Sequence, residues 1–118
     1  MSDFGLFVGW GAVRAGQQAN ANKVFGEAVA YWESLKAAGT IESYETVVLG
    51  YHGGDLAGYF LVRGDPAGLP ALSMSPEFQR LTSRAAAVVE SLGVIPAALD
   101  AQAARRVAES FEAIGDLI

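Results

Sequence analysis

His52 is the only histidine of the sequence, and the glycine pair Gly53-Gly54 and then Asp55 follow it directly. Imidazole titrates near neutral pH, so His52 can act as a proton acceptor or as a haem ligand. With Asp55 it can also form a proton relay or a weak cation site. The alternative is hairpin chemistry, in which Gly permits a turn, Asp favours it and the imidazole bonds nearby backbone. The sequence leaves both interpretations open.

Five aromatic or cationic residues fall near the ends of predicted strands: Trp10, Arg14, Tyr44, Tyr59 and Arg63. Flat apolar walls with a few polar groups are typical of a small-molecule site. We assign His52 and Arg14 as candidate catalytic residues that would bind or deprotonate an enolic oxygen. Trp10, Tyr44, Tyr59 and Arg63 are candidate substrate-binding residues. The alternative places these side chains in the core, a dimer interface and a solvated rim.

Several other chemistries are disfavoured. The glycine-rich segment at residues 9–16 departs from G-x-G-x-x-G spacing and lacks a following parallel βαβ unit, which argues against a dinucleotide site. With one histidine and no cysteine, the chain cannot build an ordinary transition-metal site. A formal net charge of −5 disfavours binding to nucleic acid through phosphate contacts. We therefore expect no metal, no resident cofactor and no nucleic-acid partner.

The elements that must position these residues follow from periodicity and turn signals. Alternating apolar residues predict strands at 4–13, 41–52 and 58–63, and a weaker strand at 94–99. Apolar stripes at helical spacing predict helices at 17–38 and from Ser75 to Gly93, and Asp100 is predicted to cap a last helix. The order β-α-β-β-α-β is the ferredoxin-like arrangement, an α+β fold with an antiparallel sheet.

Helices in this order cover one face of the sheet, yet the strands are apolar on both faces. The second face would stay exposed in a monomer, and an exposed apolar patch usually marks an association surface. We therefore expect a homodimer that packs through the sheet face, and a charge at Val48 should disrupt it.

Length and composition set the class of protein. A chain of 118 residues with 52% hydrophobic content fits one domain, over residues 1–118, with a sizeable core. The N-terminal segment lacks a basic region typical of a signal peptide, and no apolar run is long enough for a bilayer. We expect a cytoplasmic protein with no membrane partner.

Three segments resemble a bacterial branch of the dimeric α/β-barrel superfamily, which includes antibiotic-biosynthesis monooxygenase-like, muconolactone-isomerase-like and YCII-like domains. They are Gly39-Thr-Ile-Glu-Ser, His52-Gly-Gly-Asp-Leu-Ala-Gly-Tyr-Phe and Leu92-Gly-Val. The resemblance covers roughly residues 4–99. It implies a ferredoxin-like domain that pairs into a dimeric barrel, in a superfamily whose members include cofactor-free oxygenases, isomerases and haem enzymes.

Two functions remain open. In the first, a cavity between the sheet and the dimer partner binds a small apolar or aromatic molecule, and the protein is a cofactor-free oxygenase or isomerase acting by positioning and desolvation. In the second, the protein is a non-enzymatic structural or regulatory homodimer with a filled barrel. A cavity that contains an ionisable group would favour the first.

Overall fold

The computed structural model describes residues 2–117, and its elements follow the predicted order. The strands are β1 (Phe4–Trp10), β2 (Ser43–Val48), β3 (Gly58–Arg63) and β4 (Gly93–Ala98). The helices are α1 (Gln18–Ala37), α2 (Gly68–Ser73), α3 (Pro76–Val88) and α4 (Asp100–Ile114), and a short 3-10 turn covers Gly115–Leu117. No helix within residues 2–117 combines the length and apolarity needed to cross a membrane.

The four strands form one sheet in the order β2-β3-β1-β4, and every neighbouring pair is antiparallel. In the central pair, Leu6 lies opposite Val62 and Trp10 lies opposite Gly58. This topology confirms the predicted ferredoxin-like α+β fold, including the antiparallel pairing of β2 with β3.

One face of the sheet is covered by α1 and α3. Leu6 and Val8 of β1 and Phe60 and Val62 of β3 lie on this face, and all four are buried. They pack in one core cluster with Trp32 of α1, the most buried of its large side chains at 1% exposure. Period-two alternation explains why Leu6 and Val8 share a face, and the pairing of β1 with β3 brings Phe60 and Val62 to the same face.

No helix or strand among residues 2–117 covers the opposite face, and we call it the open sheet face. The strand register places on it the apolar side chains of Phe7, Val47, Tyr59, Leu61 and Ile95. The rings of Phe7 and Tyr59 are in contact, with centroids 4.9 Å apart, and Ile95 is 54% exposed. An apolar face of this kind remains accessible to a partner.

The two helices that cover the sheet, α1 and α3, each bury one stripe, and α3 also begins with a side-chain cap. The hydroxyl of Ser75 accepts a hydrogen bond from the Phe78 backbone N–H, and Pro76 is the first residue of α3, as the start signal predicts. Phe78, Leu81 and Val88 of α3 are buried. On α1 the buried stripe consists of Ala21, Val24, Ala28 and Trp32.

The second strand was predicted at 41–52, but β2 covers only Ser43–Val48. Two other boundaries differ from the prediction for one shared reason. β1 ends at Trp10 instead of Val13, and α3 ends at Val88 instead of continuing to residue 92. Val13 forms an isolated antiparallel bridge with Val89, and the Gly11 N–H donates to the Glu90 carbonyl at 2.7 Å. This pairing draws the chain after α3 into an extended conformation, which ends the helix.

The last helix, α4, is present as predicted, but its first residue does not cap it. Asp100 instead forms an ion pair with Arg63 of β3, with Oδ2 3.1 Å from Nη1. None of the described residues of α4 is buried. The predicted apolar face is exposed, with Val107 at 57%, Phe111 at 67% and Ile114 at 43%.

Candidate functional site

A cavity of about 380 Å³ lies between α1, α3 and the covered face of the sheet. This volume lies within the range of small-molecule sites, about 300–1,000 Å³. The lining is almost entirely apolar and comes from both helices, three strands and the segments that follow β1 and α3: Val8, Trp10, Val13, Gln18, Ala21, Asn22, Val24, Phe25, Ala28, Trp32, Val48, Phe60, Phe78, Leu81, Thr82, Ala85, Val88, Val89 and Leu92.

Aromatic rings make up much of the cavity wall. The ring of Phe60 lies 5.1 Å from that of Trp10 and 5.5 Å from that of Phe25, measured between centroids. Trp32 continues the cluster, with its ring 6.0 Å from those of Phe60 and Phe78. Trp32, Phe60 and Phe78 are buried, whereas Trp10 is half-buried and Phe25 is exposed, so Trp10 and Phe25 are the rings most accessible to a ligand.

Small residues create the space beside these rings. Ala21 and Ala28 of α1 and Ala85 of α3 lie on the lining, where larger side chains would fill the volume. Gly58 acts differently, since a Cβ there would lie 2.6 Å from Cζ2 of Trp10. The absence of a side chain at Gly58 therefore lets the Trp10 indole lie against β3.

The mouth of the cavity is formed by exposed residues. Val48 at the end of β2 is 74% exposed, and Phe25 of α1 is 39% exposed. Gln18 and Asn22 on the first turns of α1 bond to each other, the Gln18 Nε2 donating to Asn22 Oδ1 at 3.0 Å. Among the described residues no ionisable side chain lines the cavity, so it presents a neutral environment to a ligand.

An ion pair joins the two helices that wall the cavity. Arg84 of α3 binds Glu27 of α1 in a bidentate manner, with Nε–Oε1 at 2.8 Å and Nη2–Oε2 at 2.9 Å. The hydrogen bonds from Arg84 hold the pKa of Glu27 below its usual value, and Glu27 in turn raises the pKa of Arg84. The pair links α1 to α3 at the protein surface.

Of the six predicted site residues, only Trp10 lines this cavity. Arg14 is exposed and binds the carboxyl end of α3. Its Nε donates to the Ala86 carbonyl at 3.2 Å, and its backbone N–H donates to the Val88 carbonyl at 2.8 Å. A cation at the carboxyl end of a helix complements the helix dipole.

His52 is exposed in the loop between β2 and β3 and makes the contacts of a turn residue. Its Nδ1 accepts a hydrogen bond from the Gly54 N–H at 3.2 Å, and its Nε2 lies 2.7 Å from the Leu56 carbonyl oxygen. This pairing requires a hydrogen on Nε2. Gly53 has φ of +82°, as the predicted hairpin turn requires.

The other three residues lie apart from the cavity. Tyr44 donates from its hydroxyl to Glu33 Oε1 at 2.9 Å, and this bond raises the pKa of Tyr44. Tyr59 is on the open sheet face. The Nη1 of Arg63 donates to the Ser2 carbonyl at 3.2 Å as well as to Asp100. The structure therefore does not bring the six residues together.

Sequence reasoning missed the contribution of the two helices to the lining. The stripes of α1 and α3 look like ordinary core, and Trp32 is indeed a core residue, at 1% exposure. The available signal is the placement of alanines beside aromatic residues on the same stripe, as in Ala21, Phe25, Ala28 and Trp32. Within residues 2–117, no group of three or more His, Asp or Glu side chains is arranged to hold a metal ion.

Solved structures share this architecture at low sequence identity. A DABB-family protein with a ferredoxin-like fold from Mesorhizobium loti is 12% identical to this chain, with a TM-score of 0.61. The match covers 80% of this chain and 94% of that protein. A dimeric protein of unknown function and ferredoxin-like fold from Bacteroides fragilis is 13% identical, with coverage of 83% and 98% and a TM-score of 0.58. SnoaB from Streptomyces nogalater, described as a cofactor-independent oxygenase, is 14% identical, with coverage of 84% and 95% and a TM-score of 0.56.

This chain has the ferredoxin-like fold of these proteins. The predicted ferredoxin-like fold is therefore confirmed. No protein-family model matches the sequence, and no curated protein is significantly similar to it. The cavity of this chain is therefore the basis for a proposed function.

Proposed function

We propose that this protein binds a small, uncharged aromatic molecule in the cavity between α1, α3 and the sheet. The observation that carries the proposal is the cavity itself, about 380 Å³ in volume and walled by the rings of Trp10, Phe25, Trp32, Phe60 and Phe78. Its mouth is open beside Val48, so a ligand has a route of entry. This position differs from the predicted site between the sheet and a dimer partner.

The electrostatics of the lining favour a neutral ligand. Burying a charge without a partner is costly, and no ionisable side chain of the described lining could pair with one. Affinity would come from removing apolar surface from water, at about 25 cal/mol per Å², and from ring contacts. A binding function needs nothing further from the site.

Catalysis is the second candidate. SnoaB, described as a cofactor-independent oxygenase, has the same fold, and an apolar cavity is a setting for reactions driven by positioning and desolvation. The candidate catalytic residues His52 and Arg14 are engaged with backbone carbonyls outside the lining. An oxygenase or isomerase activity here would depend chiefly on the reactivity of the substrate.

We also propose that two copies form a homodimer through the open sheet face, closing the barrel that the superfamily resemblance implies. In a single chain Phe7, Tyr59, Leu61 and Ile95 present an apolar face with no cover. A solved protein of this fold from Bacteroides fragilis is described as dimeric. The alternative function, a structural or regulatory homodimer, would share this assembly and lack the ligand.

The binding proposal is tested with N-phenyl-1-naphthylamine, an uncharged two-ring dye whose fluorescence rises in apolar sites. We expect the wild type to bind it, and Ala85→Leu, which places a larger side chain in the cavity, to weaken binding by about tenfold, since overpacked sites exclude volume. Ala87→Leu is the matched control, because Ala87 is exposed on the same helix. Absence of dye binding by the wild type, or equal binding by A85L and A87L, would refute the proposal.

A further inference from the structure

Helix α4 carries an apolar stripe that no element of residues 2–117 covers. The stripe consists of Val107, Phe111 and Ile114, which recur at helical spacing and are 57%, 67% and 43% exposed. We call it the α4 stripe. A helix of 15 residues is marginal in water by itself, and most helices in proteins are stabilised by packing of an apolar face. A covering surface for the α4 stripe must therefore come from outside this chain.

The side of α4 that faces its own domain is polar. Arg106 lines a groove of about 270 Å³ together with residues of α2, β1 and β4. Gln102, one turn earlier on the same side, is half-buried. At 3.6 residues per turn, the α4 stripe lies about 100° around the helix from Arg106. Closer packing of α4 on this groove would therefore bury the arginine side and leave the stripe in water.

The shape of the molecule agrees with an uncovered helix. Its radius of gyration is 16.1 Å, and its principal extents are 52 × 38 × 23 Å. A compact domain of this length has a radius of gyration of about 13.5 Å. The chain is therefore more extended than a closed single domain, and a second chain can lie beside it.

The start of α4 is fixed at the open sheet face. Arg63 of β3, which binds Asp100 Oδ2 at 3.1 Å, lies two residues after Leu61 and on the same face. Leu99 lies on this face as well, since a Cβ at Gly5 would meet Leu99 Cδ1 at 2.8 Å and Leu61 Cδ1 at 3.4 Å. A second copy that packs on the open sheet face therefore lies next to the first turn of α4.

We propose that the α4 stripe packs against the second copy of this chain in the homodimer. This inference rests on the homodimer proposed above and adds to it an interface outside the sheet. Two-fold symmetry makes each copy contribute its stripe, so two helices join the contact. Charge disfavours a lipid surface as the occupant, because residues 100–116 contain two arginines and four acidic residues, whereas helices that lie on membranes are rich in Lys and Arg.

Phe111→Glu tests the α4 stripe. Ala113→Glu is the matched control, because Ala113 is exposed and lies about 160° around the helix from Phe111. Sedimentation equilibrium across nanomolar to micromolar concentrations gives the dissociation constant of the dimer. We expect F111E to raise this constant by at least about tenfold, since each copy loses a buried aromatic side chain from the interface, and A113E to stay within about twofold of the wild type.

A monomeric background separates contact with the partner from packing within the chain. Ile95→Glu places a carboxylate in the proposed sheet interface and should give a monomer. In that monomer the α4 stripe has nothing to pack against, so adding Phe111→Glu should leave the melting temperature unchanged. A lower melting temperature of the double variant would place the stripe against its own chain and overturn the inference.

If Phe111→Glu does not fold, the wild type decides the matter. In a mixed dimer of carbon-13-labelled and unlabelled chains, isotope-filtered NOE spectra report contacts between the two copies. We expect such contacts from the Ile114 δ1 methyl group, which Ile114→Val assigns. Their absence from a dimeric sample would overturn the inference.

The remaining outcomes concern the dimer and the lipid surface. A wild type that is monomeric at every concentration overturns both the homodimer and this inference. A dimeric wild type with equal dissociation constants for F111E and A113E overturns the inference and leaves the sheet interface standing. Co-sedimentation of the wild type, and not of F111E, with phosphatidylglycerol vesicles would assign the α4 stripe to a lipid surface and refute the inference; we expect neither protein to sediment with them.

Discussion

Trp10 and Gly58 face each other across the central strand pair, and the two residues depend on each other. A Cβ at Gly58 would lie 2.6 Å from Cζ2 of Trp10 and 2.7 Å from the carbonyl oxygen of Val47. The indole could rotate away, but the carbonyl belongs to the paired backbone of β2. A side chain at this position therefore displaces the cavity wall, the strand pairing or both.

Gly58→Ala is accordingly predicted to lower the free energy of unfolding by about 1–3 kcal/mol, as overpacked sites do. Chemical denaturation followed by circular dichroism measures the change. Gly93→Ala is the matched control, because a Cβ there meets its nearest neighbour, Ile95 Cδ1, at 4.0 Å. Equal denaturation midpoints for G58A and the wild type would contradict the proposed contact.

His52 shows what the chemistry of a single residue can and cannot predict. Its type and its place beside two glycines allow both catalysis and a turn contact. The structure places both ring nitrogens on the backbone of the same loop, which is the turn arrangement. The choice depends on where the loop lies relative to the cavity, and that is a tertiary property. The predicted catalytic role of His52 and Arg14 stays a prediction.

At the scale of the elements, the pair Glu27–Arg84 holds α1 against α3. Because hydrogen bonds from Arg84 lower the pKa of Glu27 in the folded state, the carboxylate stabilises the fold at pH values above its unfolded pKa, about 4.3. This contribution is lost as the pH falls from that value through the lower pKa of the folded state. The pH window for loss therefore lies on the acidic side of about 4.3.

Glu27→Gln is predicted to lower the melting temperature at pH 7 and to differ little from the wild type at a pH well below 4. Thermal melts of both proteins across this range provide the measurement. Glu109→Gln, on the exposed surface of α4, removes a carboxylate of the same type as a control. A difference between E27Q and the wild type that is constant with pH would show that the ion pair is not its cause.

Element order was predictable because its signals are local. Apolar stripes, the Ser75-Pro76-Glu77 start and the glycine-rich hairpin are each read within a few residues, and β3 has the predicted bounds of residues 58–63. The end of α3 was not predictable in this way. It depends on the bridge from Val89 to Val13, which are far apart in sequence.

The cavity was predictable only in part. Alternation along β1 correctly groups Trp10 with Leu6 and Val8, and Trp10 does line the cavity. The apolar stripe of α1 includes Ala21, Phe25, Ala28 and Trp32. Whether these side chains fill the space between helix and sheet or leave a cavity depends on the distance between the two. The sequence does not give that distance. Pattern reasoning therefore finds the wall residues of a strand and assigns those of the helices to core.

At the scale of the whole molecule, the sheet separates two apolar surfaces with different environments. Its covered face bounds the cavity, and its open face has no covering element among residues 2–117. The register places Val48 opposite Gly58, on the same face as Trp10, and Val48 lies at the cavity mouth. The prediction that a charge at Val48 disrupts the dimer is therefore wrong for an interface on the open sheet face, because Val48 lies on the covered face. Ile95 of β4, on the open sheet face and 54% exposed, is the appropriate residue.

Ile95→Glu is predicted to convert a homodimer into a monomer. A dimer with two-fold symmetry uses the same surface on both copies, so one substitution introduces two carboxylates into one interface. Each would lose its hydration without a counter-charge, at a cost of at least several kcal/mol. Sedimentation velocity at micromolar concentration measures the change in mass, and circular dichroism checks that the fold persists.

Val48→Glu is the control, since it places the same charge on an exposed residue of the opposite face and should leave the dimer intact. A wild type that sediments as a monomer, or an I95E variant that remains dimeric, would exclude the open sheet face as the interface.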